Sequence, residues 1–201
     1  MRHIPQPYSQ RLDRLHDNEP LNHTLSKTVL GRFSQAAITS LEKLQQQADE
    51  SAILKASAQL ANARSIYIAG QGRASPVAAY LDYTFVKMGI QTTHLDGAAG
   101  TMLEKAHLIH QDEVLVAISF HPYTANTKEL VGICLDNNVP VIALTDSTLS
   151  PISRADDLHL EVLEEEISGI RGLSATMCLA LSLAVETGRC RSAHKSDQSR
   201  P

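Results

Sequence analysis

Two short stretches of this chain carry the residue types needed to hold an anion. The first, Gly70-Gln71-Gly72-Arg73-Ala74-Ser75-Pro76, follows an apolar run and opens an amphipathic one. Gly70 and Gly72 let the backbone turn closely, free amides at a helix start favour negative charge, Ser75 caps or donates a hydroxyl, and Arg73 adds a cation. The second, Ser119-Phe120-His121-Pro122-Tyr123-Thr124-Ala125-Asn126-Thr127, again leads into a helix. Ser119, Thr124 and Thr127 supply hydroxyls suited to phosphate oxygens, and His121 and Tyr123 stand among them as ligand contacts or plain loop residues. Each stretch also has a purely structural reading: a glycine-rich turn that holds nothing, and a Thr124 that only caps its helix. A third stretch, Thr145-Asp146-Ser147-Thr148-Leu149-Ser150-Pro151, could offer Asp146 and Ser147 to hydroxyls, but Ser150-Pro151 reads better as a cap followed by proline at the first helical position.

Other chemistries find less support. The first loop has Ser75 where a dinucleotide fingerprint needs its third glycine, and only Asp96 could act as a ribose partner. The histidines lack HxH or HxxxH pairs, and Cys134, Cys178 and Cys190 lack CxxC spacing, so neither a metal nor another cofactor is expected. No Ser/His/Asp order stands out. Moving a proton between adjacent carbons needs a carboxylate base, with a histidine as a second proton carrier. Glu164, Glu165 and Glu166, with His94 or His121, are the available groups, yet the run Ile170 to Thr176 that opens the last helix contains no acid. The three glutamates read as a solvated face. Arg171 either reaches a phosphate or a partner subunit, or forms a surface ion pair.

The elements that must position these loops follow from periodicity. Apolar runs at 65–69, 91–95, 114–118, 140–144 and 158–162 alternate with amphipathic runs at 75–88, 100–108, 124–137 and 173–186. That alternation predicts an α/β fold, a three-layer α/β/α sandwich with a five-stranded parallel sheet of flavodoxin-like order 2-1-3-4-5. Ligands then bind beyond the strand carboxyl ends where the order reverses, at the loops after the first and third strands. Two further helices are expected earlier, one from about Ser34 and one over Ser51 to Asn62 with Ser51 as cap. Residues 1–32, with three prolines and little periodicity, read as an arm or linker, 33–188 as the domain, and 189–201 as a flexible tail. The last helix, with Met177, Leu179, Leu181, Leu183 and Val185, is apolar on more than one face, which predicts a dimer or higher homo-oligomer. A formal charge of −4 disfavours autonomous nucleic-acid binding, and the lack of a signal or spanning run leads us to expect a cytoplasmic protein with no membrane partner.

These loops, in this order, resemble the sugar isomerase (SIS) domain, and more closely the effector domain of RpiR-type regulators of bacterial sugar metabolism. The resemblance covers roughly Leu41 to Val185 and is carried by 70–81, 117–127, 143–162 and 169–185. It implies a phosphosugar held by the loops after strands one and three, sensed rather than transformed, with an aldose-ketose phosphate isomerase as the alternative using Glu165 or a neighbour. In such regulators DNA is reached only through a helix-turn-helix domain. The sequence as given has none, and its start from Tyr8 looks like the linker that would follow one. It departs from the family at the third loop, where Ser-x-Ser-Gly-x-Thr is usual and Ser119 is followed by Phe120-His121-Pro122-Tyr123. Asn126 replaces that loop's acid, and Ala74 or Ser75 falls where a phosphate-binding serine would lie.

Overall fold

The computed structural model describes residues 28–153 and 158–198. In chain order it contains α1 (Val29–Gln47), α2 (Glu50–Asn62), β1 (Ile66–Gly70), a 3-10 turn (Gly72–Ala74), α3 (Ser75–Lys87), β2 (Thr92–Leu95), α4 (Met102–Ala106) and β3 (Val114–Ile118). There follow α5 (Ala125–Asp136), β4 (Val141–Thr145), β5 (Leu158–Glu161), β6 (Glu166–Ile167), β7 (Ile170–Arg171) and α6 (Ser174–Gln198). They group into two compact units, 28–47 with 163–176, and 48–162 with 177–198.

The larger unit is built on a parallel sheet of order β2-β1-β3-β4-β5. Every residue of β3 and β4 is buried, as expected of central strands covered on both faces. Alternate side chains then point to opposite layers. Ala69, Leu95, Leu115, Ala117, Val141 and Ala143 meet Met102 and Ala106 of α4 and Leu130, Val131 and Cys134 of α5. Burial pushes the Cys134 thiol up to about 12, so it serves as a small apolar side chain. Ile66, Ile68, Val116, Ile118, Ile142 and Leu144 are as deeply buried on the other face, where α3 packs on β1 and β2, and α2 on β5. This is the expected three-layer sandwich.

In the smaller unit α1 lies against β6. Ser40, fully enclosed, donates to the Ala36 carbonyl at 2.9 Å and accepts from the Glu165 amide at 2.8 Å, and Lys43 pairs with Glu165. The β6–β7 hairpin turns through Ser168 and Gly169, both at positive φ (50° and 79°), the geometry of a two-residue primed turn.

Several boundaries differ from expectation for local reasons. Residues 29–32, expected in an arm, are helical because Thr28 Oγ1 accepts from the Gly31 amide at 2.9 Å and caps α1; residues 1–27 of that arm lie outside the described residues. Asp49, not Ser51, is the cap of α2, accepting from the amides of Ser51 and Ala52 at 2.9 and 3.1 Å. Pro151 and Ile152 form a turn rather than a helix start, because the Ser153 amide folds back to the Ser150 carbonyl at 2.9 Å. Helix α6 runs on to Gln198, so residues 189–198 are helical where a tail was expected.

The reason lies in Arg191. Its Nε donates to the Ala61 carbonyl at 3.1 Å and its Nη2 to the Ala63 carbonyl at 2.7 Å, closing the open carboxyl end of α2. Arg191→Ala should lower unfolding stability by about 1–2 kcal/mol, the range for hydrogen bonds from a charged donor. Urea denaturation checks this; an unchanged midpoint would mean that solvent satisfies those carbonyls equally well.

Candidate ligand-binding site

The strand order reverses between β1 and β3, so the loops after these two strands flank the crevice at their carboxyl ends. A Cβ on Gly70 would stand 2.9 Å from the Ala74 carbonyl oxygen and 3.1 Å from Ala78 Cβ, so only glycine lets α3 begin this close to the end of β1. Gly72 has φ +57° and starts the 3-10 turn, which the Ala74 amide closes onto the Gln71 carbonyl at 3.1 Å. Ala74, not Ser75, occupies the cap position of α3. No side chain caps this helix start, and Ser75 stands half-buried in its first turn.

In the second loop Ser119 is 3% exposed, and its amide donates to the Leu144 carbonyl at 3.1 Å. Phe120 is buried, and the Arg73 guanidinium carbon lies 5.0 Å from its ring centroid, which joins this loop to the first. His121 is exposed and precedes Pro122 through a cis peptide; its ring meets that of Tyr123 edge-on with centroids 5.9 Å apart. Thr124 occupies the cap position of α5 without capping it, because its hydroxyl donates instead to Thr127 Oγ1 at 2.7 Å. Thr127 is fully buried and Asn126 exposed. Both loops therefore lead into helix starts that no side chain caps, the setting in which backbone amides attract an anion.

Asp146, set aside above in favour of a structural role for its loop, braces the second loop. Its Oδ2 accepts from the His121 amide at 3.0 Å and its Oδ1 from the Tyr123 hydroxyl at 2.9 Å. Burial, with Asp146 beside it, holds the Tyr123 hydroxyl above the usual tyrosine range. Sequence reasoning also missed the partnership of Phe120 with Arg73. The available signal was a large aromatic two residues past a strand end, among residues otherwise suited to solvent.

The acids weighed as catalytic bases lie in the smaller unit, where Glu166 is exposed as expected of a solvated face, Glu164 and Glu165 are half-buried, and each has a partner. Glu164 Oε1 accepts from the Thr176 amide and hydroxyl, both at 2.8 Å, and so caps α6. Glu165 pairs with Lys43, and Glu166 with Arg171 at 2.7 Å, the surface ion pair weighed above for Arg171. His94 lies mid-strand in β2 beside Ile68, with its Nε2 buried. Among the described residues no group of three or more His, Cys, Asp or Glu is placed to hold a metal, and no helix is long and apolar enough to cross a membrane. A separate open depression of about 530 Å³, lined by His107, His110, Gln111, Asp112 and Asn137 among others, lies at the amino-terminal ends of β3 and β4, away from these loops.

A family model described as the SIS domain matches residues 59–186, well over half the chain and both loops. The chain belongs to the SIS domain family. The chain is 25% identical over 152 residues to an uncharacterised HTH-type transcriptional regulator of Clostridium perfringens, covering 76% of this chain and 52% of that protein. It thus spans about half the length of that curated relative. Among solved structures, the sugar isomerase domain of an RpiR transcription factor from Sphaerobacter thermophilus matches with TM-score 0.76 at 21% identity over 85% of this chain and 98% of that one. The Vibrio vulnificus NanR protein complexed with ManNAc-6P matches with TM-score 0.69 at 18% identity, over 84% and 64%. Phosphoheptose isomerase from Neisseria gonorrhoeae matches with TM-score 0.65 at 19% identity, over 84% and 99%. At these identities the likeness speaks for the fold, which regulators and isomerases share.

Proposed function

We propose that this SIS domain binds a phosphorylated sugar in the crevice between the loops after β1 and β3, and that it senses this ligand rather than converting it. The observation that carries the reading is the pair of uncapped helix starts, α3 and α5, with Ser75, Ser119, Thr124, Thr127 and Arg73 in the loops and first turns that make them. Gly70 and Gly72 let the backbone of the first loop approach the ligand; His121 and Tyr123 meet its sugar end. The resemblance to HTH-type and RpiR regulators, and NanR's complex with ManNAc-6P, favour sensing of a phosphosugar. Glu164, Glu165 and Glu166 are each engaged by a partner, which is in keeping with a structural role for them. In a full-length regulator the domain would act as a homodimer, with exposed Leu181 and Val185 of α6 among the apolar residues available for pairing, and would reach DNA through an attached helix-turn-helix domain in the cytoplasm.

The test is a thermal-shift screen of the purified chain against sugar phosphates and their unphosphorylated counterparts, followed by a turnover assay on any ligand found. We expect stabilisation by a phosphosugar alone and no turnover. Turnover would move the reading to an aldose-ketose phosphate isomerase, and silence across the panel would end the phosphosugar reading. Ser119→Ala should weaken binding by about 1 kcal/mol, roughly fivefold in Kd. Unchanged affinity would take Ser119 out of the site.

A further inference from the structure

We propose that Gln71 is a specificity-determining residue: its side-chain carboxamide, seated over Gly97, hydrogen-bonds the hydroxyls of the sugar. This rests on the phosphosugar reading and adds to it the side of the crevice toward β2. Gln71 follows the last residue of β1, and Gly97 lies in the turn after β2, the neighbouring strand. A Cβ at Gly97 would stand 3.3 Å from Gln71 Nε2, tighter than an ordinary van der Waals contact, so the glycine is what leaves room for the amide. The turn is itself held. Asp96 Oδ1 accepts from the Ala98 amide at 2.9 Å, and the Gly100 amide donates to the Gly97 carbonyl at 3.0 Å. Gly97 and Gly100 both take the left-handed conformation, with φ of 75° and 67°.

The chemistry of the group decides what it reads. Gln71 is half-buried, and among the described residues no hydrogen bond engages its carboxamide. A carboxamide offers two N–H donors and a carbonyl acceptor and carries no charge. A phosphate dianion only accepts, which leaves that carbonyl unmatched, whereas adjacent sugar hydroxyls both donate and accept and can use the whole group. Strand order puts His121 and Tyr123, which follow β3, on the other side of β1. A ligand whose phosphate lies at the starts of α3 and α5 is then met at its sugar end from both sides. A site built to pair with a hydroxyl discriminates sharply against a ligand that lacks one. Gln71 therefore makes the crevice favour a polyhydroxylated phosphate ester over bare phosphate.

The experiment titrates the full chain by NMR with inorganic phosphate and with the 6-phosphates of glucose, fructose and N-acetylglucosamine, following the backbone amides of 70–75, 96–100 and 119–127. In the parent at least one hexose phosphate should bind more tightly than inorganic phosphate. For that ligand Gln71→Ala should raise Kd about fivefold, while Kd for inorganic phosphate stays within about twofold of the parent. Gly97→Ala should shift the same balance by displacing the amide. Gly100→Ala is its control, with a similar positive φ but nothing within 4 Å of the added Cβ, and should bind as the parent does. If Gly97→Ala behaves as Gly100→Ala does, the seat for the amide is overturned. If Gln71→Ala changes neither Kd, or changes both alike, or if no hexose phosphate binds more tightly than inorganic phosphate, the role of Gln71 is overturned and the anion site stands. If none of the four probes shifts the amides of 70–75 and 119–127, the phosphosugar reading falls and the role of Gln71 falls with it.

Discussion

Gly70→Val will lower unfolding stability by about 3 kcal/mol or more and remove with it the phosphosugar binding we propose, the largest effect we expect from a single change. The Cβ alone would lie 2.9 Å from a backbone carbonyl oxygen, that of Ala74, and 3.1 Å from Ala78 Cβ. Neither obstacle is the end of a flexible side chain, so α3 would have to move away from β1. That movement takes Ser75 and the uncapped amides of α3 with it, coupling stability to the site. Gly70→Ala should show most of the effect, since the first methyl already makes the contact. Gly72 is the internal control: nothing lies within 4 Å of a Cβ placed there, so Gly72→Ala bears only the strain of φ +57°, about 1 kcal/mol. Urea denaturation of the three variants checks the order, and a Gly70→Val protein as stable as Gly72→Ala would refute the packing argument.

Glu113→Ala should be the next most damaging, at about 2 kcal/mol. Glu113 is 2% exposed at the turn before β3, where its Oε2 accepts from the His110 amide at 2.8 Å and its Oε1 lies 3.0 Å from Arg64 Nη2. Its charge, after burial itself, helps hold the Tyr67 hydroxyl above the usual tyrosine range. Removing the carboxylate takes the acceptor from a partly buried amide, whereas Arg64 is half-exposed and keeps Asp112 at 2.8 Å. The cost should therefore come mainly from the turn and not from the ion pair. Glu113→Gln, which can still accept from His110, should recover about half the loss, and its denaturation midpoint should respond little to salt. If the glutamine variant is as unstable as the alanine one, the ion pair carries the energy instead.

The sheet was legible because its signal is redundant. The run 114–118 is β3 to the residue, and the order 2-1-3-4-5 followed from helical stretches separating short apolar ones. The β6–β7 hairpin was missed because each strand has two residues, too few for any periodicity; the Ser168-Gly169 pair between Ile167 and Ile170 was the readable clue. The carboxyl end of α6 was missed because its last turns are polar, and what orders Arg191 is a pair of carbonyls more than a hundred residues earlier. In the crevice, sequence brought forward the residues that could touch a ligand. It could not foresee the pairing of Phe120 with Arg73, or that Asp146 braces His121 and Tyr123, because these partners lie in other loops many residues away.

Asp146 has a further bearing on how any ligand is met. Because its two oxygens already grip the His121 amide and the Tyr123 hydroxyl, the segment between β3 and α5 is set in shape before an encounter. The entropy of fixing that segment was surrendered when the chain folded, so it does not subtract from affinity at the moment of association. Encounter should then be quick and close to that of rigid bodies, discrimination among ligands should appear in the dissociation rate, and a poorly shaped ligand should find a wall that does not adapt to it.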